Sequence, residues 1–287
     1  MVHICHGMAE HGGRYARLAE LLTSAGLAVY ANDHRGHGKS ATGDDVGFFA
    51  AQDGWQVVID DLRDHLTRER AAHPGVPLIL LGHSMGSLMA QQSMVEHASL
   101  IDAVVLSGTS GRPSLIAQLG RLVARFERMR QGARGRSALI DALSFRDFNK
   151  KFKPNRTGFD WLSRDEVEVD RYVADPACGF QCTNQLWIDL LDAIAVFTAP
   201  AFQARIRADL PIYLFAGDRD PVGENGASVT ALAQALSAAG VTDIRLKLYP
   251  ESRHETLNET NRSAVMADLM SWIEGVLPRL SGAPADH

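Results

Sequence analysis

Short apolar runs alternate with longer stretches of helical periodicity through the first 110 residues. Val2 to Cys5, Leu27 to Ala31, Leu78 to Leu81 and Ala103 to Leu106 are continuous, strand-length apolar runs and read as buried strands. Between them, Tyr15 to Ala25, Trp55 to Arg70 and Met85 to His97 repeat their apolar positions at helical spacing. The alternation resumes near Leu210, with strands at Ile212 to Phe215 and Ile244 to Leu248 and helices at Ala227 to Ala239 and Asn261 to Leu277. Strands joined through helices pair in parallel, so the pattern predicts an α/β fold, a mostly parallel sheet with helices on both faces. Residues 1–110 and 203–280 form its two parts. Residues 111–202 read as a helical insert, and the Ser-Gly-Ala-Pro-containing segment 281–287 reads as a loose tail.

Charge sets the insert apart. Between Arg112 and Arg156 twelve Lys or Arg residues stand against Glu127, Asp141 and Asp147, a balance of +9 in a chain whose net charge is −5, which leaves −14 for the remainder. Leu115, Leu119, Leu122, Phe126 and Met129 fall at helical spacing, with Arg121, Arg125 and Arg128 on another face of the same helix. The first expectation is an apolar stripe packed on the main domain with its arginines in water. The alternative is a lid that meets anionic lipid headgroups or acyl chains.

At 287 residues, 46% hydrophobic and 22% charged, the composition is that of an ordinary globular protein and excludes collagen-like, disordered and coiled-coil classes. Apolar runs such as Val76 to Leu81, or Leu186 to Ala199 with its Asp189 and Asp192, are too short or too interrupted to span a bilayer. The first residues lack the basic and apolar regions of a signal peptide, so a cytoplasmic protein is expected. Cys5, Cys178 and Cys182 make an odd count and read as reduced, buried thiols. No zinc-finger spacing follows them, and no metal is expected.

The sharpest local signal is Gly82-His83-Ser84-Met85-Gly86, placed between a strand and a helix. There G-x-S-x-G forms a nucleophile elbow, whose glycines allow the sharp turn that presents the serine hydroxyl. A serine needs a histidine base and a carboxylate to orient it. Of the later histidines, His97 lies on the elbow helix and His287 ends the tail, which leaves His254 in the loop after the last strand. For the carboxylate, Asp218 and Asp220 both follow the strand Ile212 to Phe215. Asp220 is preferred for its longer reach, with Asp218 the reserve for the same role and otherwise a turn or cap hydrogen bond. The oxyanion donors are expected to be the backbone N–H groups of Met85, after the nucleophile, and of Met8, in the turn after the first strand. Gly38-Lys39-Ser40 ends like a phosphate-binding loop but has Asp33 where the first glycine belongs, and the overlapping Gly36-His37-Gly38 run opens no helix. No cofactor is expected, and no nucleic acid either, since a single aromatic residue, Phe126, falls among Arg121 to Arg136.

Three motifs in order carry a resemblance to a known family. His6-Gly7-Met8-Ala9-Glu10-His11 with Arg14-Tyr15, then Asp33-His34-Arg35-Gly36-His37-Gly38-Lys39-Ser40, then the elbow resemble the monoacylglycerol lipase and lysophospholipase group of the α/β-hydrolases, also called the serine aminopeptidase-like hydrolases. The resemblance implies an α/β-hydrolase fold with the insert as a cap over an acyl pocket, a triad of Ser84, Asp220 and His254, and Met8 and Met85 as oxyanion donors. Members of the group usually begin with a strand hairpin before the His-Gly turn. Here the turn begins at residue 6, so the first strands are expected to be absent and the strand before Asn32 to form an open edge. Ser87 stands where glycine is common and is expected to fit. The implied function is a serine hydrolase of carboxylic esters acting through an acyl-serine, on monoacylglycerols or lysophospholipids, with peripheral contact to anionic lipid through the cap. The alternatives are a short-chain esterase or thioesterase, an aminopeptidase, or a non-catalytic ligand receptor on the same fold.

Overall fold

The computed structural model describes residues 1–111 and 115–280; the tail expected at 281–287 lies outside the described residues. Six strands form one parallel sheet: β1 (Val2–Cys5), β2 (Val29–Ala31), β3 (Ile79–His83), β4 (Ala103–Ser107), β5 (Ile212–Gly217) and β6 (Ile244–Tyr249). Their order is β2-β1-β3-β4-β5-β6 and every neighbouring pair is parallel. Among the described residues β2 is an edge strand, as expected of the strand before Asn32.

The continuous apolar strands split by the period of two into two cores. In β3 to β5, Leu80, Val104, Leu106, Ile212 and Leu214 face one side, while Ile79, Leu81, Val105, Tyr213 and Phe215 face the other. The first side is covered by α2 (Gly54–Ala72), α3 (Met85–Glu96) and α10 (Ala227–Ala238), the second by α1 (Ala16–Ser24) and α11 (Arg262–Leu280). Each Leu or Ile buried in this way contributes about 1.5–3 kcal/mol relative to exposure. Because all strands run the same way, the chain leaves β1, β3, β5 and β6 on one edge, into the loops that begin at His6, Ser84, Asp218 and Pro250.

Between β4 and β5 the chain forms α4 (Leu115–Gln131), α5 (Ala138–Leu143), α6 (Phe145–Lys150), α7 (Glu166–Ala174), α8 (Asn184–Phe197) and α9 (Pro200–Gln203). Helix α8 anchors this insert: Leu186, Leu190, Ile194 and Phe197 join the core of the main sheet. Helix α4 lies on α8, and here the structure overturns the apolar half of the first expectation. Leu119, Leu122, Phe126 and Met129 are 61%, 62%, 56% and 79% exposed, while Arg121 and Arg125 both reach Asp192 of α8. The reason is steric and electrostatic. Gly120, next to Leu191, and the fully buried Ala124 let the two backbones approach closely, and Asp192 pairs with Arg121 and Arg125 along that contact, while Arg125 and Arg128 stay exposed as expected. Arg112 and the side chain of Leu115 lie outside the described set.

Candidate active site

Ser84 leaves β3 with φ 51° and ψ −118°, a left-handed strain that a side-chain-bearing residue holds only where its surroundings enforce it. The enforcement comes from two glycines. A Cβ on Gly82 would lie 2.3 Å from the carbonyl oxygen of Gly86, and one on Gly86 would lie 2.1 Å from that of Cys5. The turn is thus wedged against β1, with Ser84 N–H bonded to the Ser107 carbonyl at 2.9 Å. Ser87 fits as expected, donating its hydroxyl to the Ser84 carbonyl at 2.6 Å with the Thr109 hydroxyl 2.8 Å from the same oxygen.

After β6, His254 is 2% exposed and its Nδ1 lies 2.9 Å from Asp220 Oδ2. A carboxylate partner places the proton on Nδ1 and leaves the Nε2 lone pair available. Asp220 is fully buried, and its other oxygen accepts the Val222 N–H at 2.9 Å. Asp218 is elsewhere: it accepts the Glu251 N–H at 2.7 Å and pairs with Arg219. Burial works to lower the His254 pKa, but the charge and hydrogen bond of Asp220, helped by Glu255 and Glu10, prevail and raise it above 6.5. His83, whose ring centroid is 4.8 Å from that of His254, is pushed down to about 4 by burial and by His254 itself.

Ser84 and His254 line one pocket together with Gly7, Met8, His83, Phe145, Trp161 and Tyr172. Met8 therefore sits beside Ser84 and His254, whereas the Met85 side chain points into the main core, leaving only its backbone available at the start of α3. The insert closes the pocket from above. Trp161 lies 5.0 Å from the His254 ring and stacks on Phe145 at 5.7 Å, and its carbonyl accepts the His254 N–H at 3.3 Å.

The sequence reading gave no role to the charged group beside this pocket. Arg14 donates to Glu10 at 2.6 Å and to both oxygens of Glu255 at 2.5 and 2.7 Å, all three side chains being nearly buried. Glu10 also accepts the Gly7 N–H and the Tyr15 hydroxyl, the latter at 2.8 Å, so it fixes the turn that carries Met8. Burial pushes both carboxyls up, yet the Arg14 guanidinium, joined by His83 and, at Glu10, by the Gly7 and Tyr15 hydrogen bonds, prevails and holds both below their usual value. Glu10, Arg14 and Tyr15 stand in the first motif, but Glu255 lies 241 residues from Arg14 and nothing local marks their meeting. The second motif supports the same turn from below: Asp33 accepts the Gly12 and Lys39 N–H groups, and His6 Nε2 accepts that of His34.

The family model described as serine aminopeptidase, S33, matches residues 1–261. The chain belongs to that family. This S33-family chain is 30% identical to the monoacylglycerol lipase of Mycolicibacterium smegmatis over 95% of its own length and 87% of the relative's. It is 27% identical to the monoglyceride lipase of Rattus norvegicus, over 95% and 82% respectively. Among solved structures, a thermostable carboxyl esterase from Bacillus coagulans in complex with glycerol superposes with a TM-score of 0.88 at 27% identity, covering 96% of this chain and 89% of that one. The S33-family chain is an α/β-hydrolase of the monoacylglycerol lipase group and a carboxylic ester hydrolase. Among its described residues no helix is long and apolar enough to cross a membrane.

Proposed function

We propose that this hydrolase cleaves single-chain acylglycerols through an acyl-serine intermediate. Ser84 Oγ attacks the ester carbonyl as His254 Nε2 takes its proton, Asp220 holds the imidazole tautomer, and the N–H groups of Met8 and Met85 receive the oxyanion. The protonated His254 then returns its proton to the departing alkoxide, and water repeats the sequence on the acyl-enzyme. Residues 111–202 act as the cap.

The observation that carries the substrate class is the two-sided lining of the pocket. Phe145, Phe159, Trp161 and Leu162 offer an apolar wall for an acyl chain, while Glu10, Tyr172 and Glu255 offer polar partners for a headgroup. Two ionised carboxylates against the single guanidinium of Arg14 leave a net negative charge at that polar end. A neutral glycerol therefore fits better than a phosphate-bearing headgroup, which favours monoacylglycerols over lysophospholipids.

The exposed stripe of α4 supports peripheral contact with lipid. Leu119, Leu122, Phe126 and Met129 face outward beside exposed Arg125, Arg128 and Arg130, the arrangement of a helix that lies in an anionic interface. The deciding experiment is hydrolysis of an acyl-chain series of monoacylglycerols, lysophospholipids and short p-nitrophenyl esters by wild type and Ser84→Ala. Ser84-dependent turnover that rises with chain length on monoacylglycerols is the expected result. Turnover confined to short esters replaces the reading with a general esterase, and turnover that survives Ser84→Ala removes the acyl-serine.

A further inference from the structure

Where the loop after β1 meets the insert, His11, Asp175 and Cys178 bring a nitrogen, an oxygen and a sulfur within 4.8 Å of one another. His11 Nε2 lies 2.9 Å from Asp175 Oδ2, and Cys178 is a free, half-buried thiol. None of the three lines the pocket described above. The donors are held in place independently of any ion. Asp175 Oδ1 accepts the Ala177 N–H at 2.8 Å, and the Gly179 N–H and Tyr172 hydroxyl both donate to the Ala9 carbonyl at 2.9 Å, fastening the two segments together.

Imidazole, carboxylate and thiolate are the donor types of zinc, and the thiolate disfavours magnesium and calcium. Tetrahedral zinc with bonds of about 2.0–2.3 Å separates its ligand atoms by roughly 3.3–3.7 Å. The His11–Asp175 contact must open slightly and Cys178 Sγ draw in by no more than about 1.5 Å, with water as the fourth ligand. Such adjustments are available to side chains that are partly exposed, as those of His11 and Asp175 are at 22% and 34%.

We propose that His11, Asp175 and Cys178 form a binding site for a zinc-like divalent cation that links the oxyanion loop to the insert. On binding, the Cys178 thiol proton leaves to solvent and the sulfur lone pair forms the metal bond. The His11 proton moves from Nε2, where it now faces Asp175, to Nδ1, which gives up its 3.2 Å bond from the Gly13 N–H. Because the sulfur binds as thiolate, the metal competes with a proton and binding strengthens as pH rises.

The test is titration of the reduced full chain with Co2+. The expected result is a thiolate-to-cobalt charge-transfer band that saturates at one equivalent and is bleached by Zn2+. Cys178→Ser abolishes the band, Cys182→Ser retains it, and His11→Ala weakens binding at least about tenfold. Persistence of the band in Cys178→Ser, unchanged affinity in His11→Ala, or saturation only at millimolar cobalt in wild type overturns the site. Ser84→Ala is expected to bind cobalt as wild type does, so the outcome is separable from that of the hydrolase reading.

Discussion

The pocket floor and the outer face of α4 both break the ordinary rule of polar outside and apolar inside, in opposite ways. At the floor, Asp220, His254, Glu10 and Glu255 are buried and Arg14 nearly so, and each charge is met by partners within the chain. On α4, four large apolar side chains are left in the open, with nothing among the described residues covering them. A buried charge that is fully paired reports a function completed within the molecule. An apolar stripe left uncovered is where the proposed contact with lipid would act.

Substitutions at the two places should therefore separate chemistry, stability and lipid contact. The largest effect is expected for Ser84→Ala, which lowers kcat/KM on every ester by about 10^4-fold or more while the unfolding midpoint hardly moves. Full-progress kinetics beside a denaturant titration check both halves. Arg14→Ala is expected to cost about 3–5 kcal/mol, because it strands two buried carboxylates rather than removing a single contact. Urea unfolding measures it, and restoring stability by adding Glu10→Gln and Glu255→Gln would show that the charge, not the lost packing, was responsible.

The same buried groups set the pH response. The raised His254 pKa means that kcat/KM should climb with pH through a midpoint above 6.5, since only the neutral imidazole can take the Ser84 proton. For stability the signs differ between the two groups. A raised histidine contributes stabilisation that is complete below its ordinary value of 6.5 and is lost as pH rises through the folded one. The lowered Glu10 and Glu255 contribute stabilisation present above their ordinary 4.5 that is lost as pH falls through the folded values. Urea midpoints measured from pH 3 to pH 9 should show the steeper loss on the acid side, where two carboxylates that share Arg14 act together. A flat acid limb would mean that Arg14 does not hold them ionised.

The smallest effect on stability is expected on α4. Leu122→Asp with Phe126→Asp should change stability by no more than about 1 kcal/mol in total, as exposed positions do. It should nevertheless abolish co-sedimentation with anionic vesicles and lower turnover of long-chain monoacylglycerols, leaving short soluble esters unaffected. Vesicle binding by wild type that ignores salt would remove the arginines from the account.

Much of the fold was legible in the chain. Continuous apolar runs such as Leu78 to Leu81 can only be strands covered on both faces, and the predicted strands and helices appear with ends shifted by a residue or so in most cases. The elbow was legible because its geometry is local: Gly82 and Gly86 are needed within the turn they form. The orientation of α4 was not. Periodicity reveals that a helix has two faces, but which face is covered depends on the neighbour, and here Gly120, Ala124 and Asp192 of α8 decided it.

The sequence by itself determined the layering, the strained serine and a short set of candidate partners, because these depend on periodicity and on steric limits within a few residues. Only the tertiary structure decided that Asp220 rather than Asp218 meets His254, that Glu255 closes on Arg14, and that His11 faces Cys178. Those pairings span 34, 241 and 167 residues, and each depends on where the fold brings distant loops together rather than on what its neighbours are.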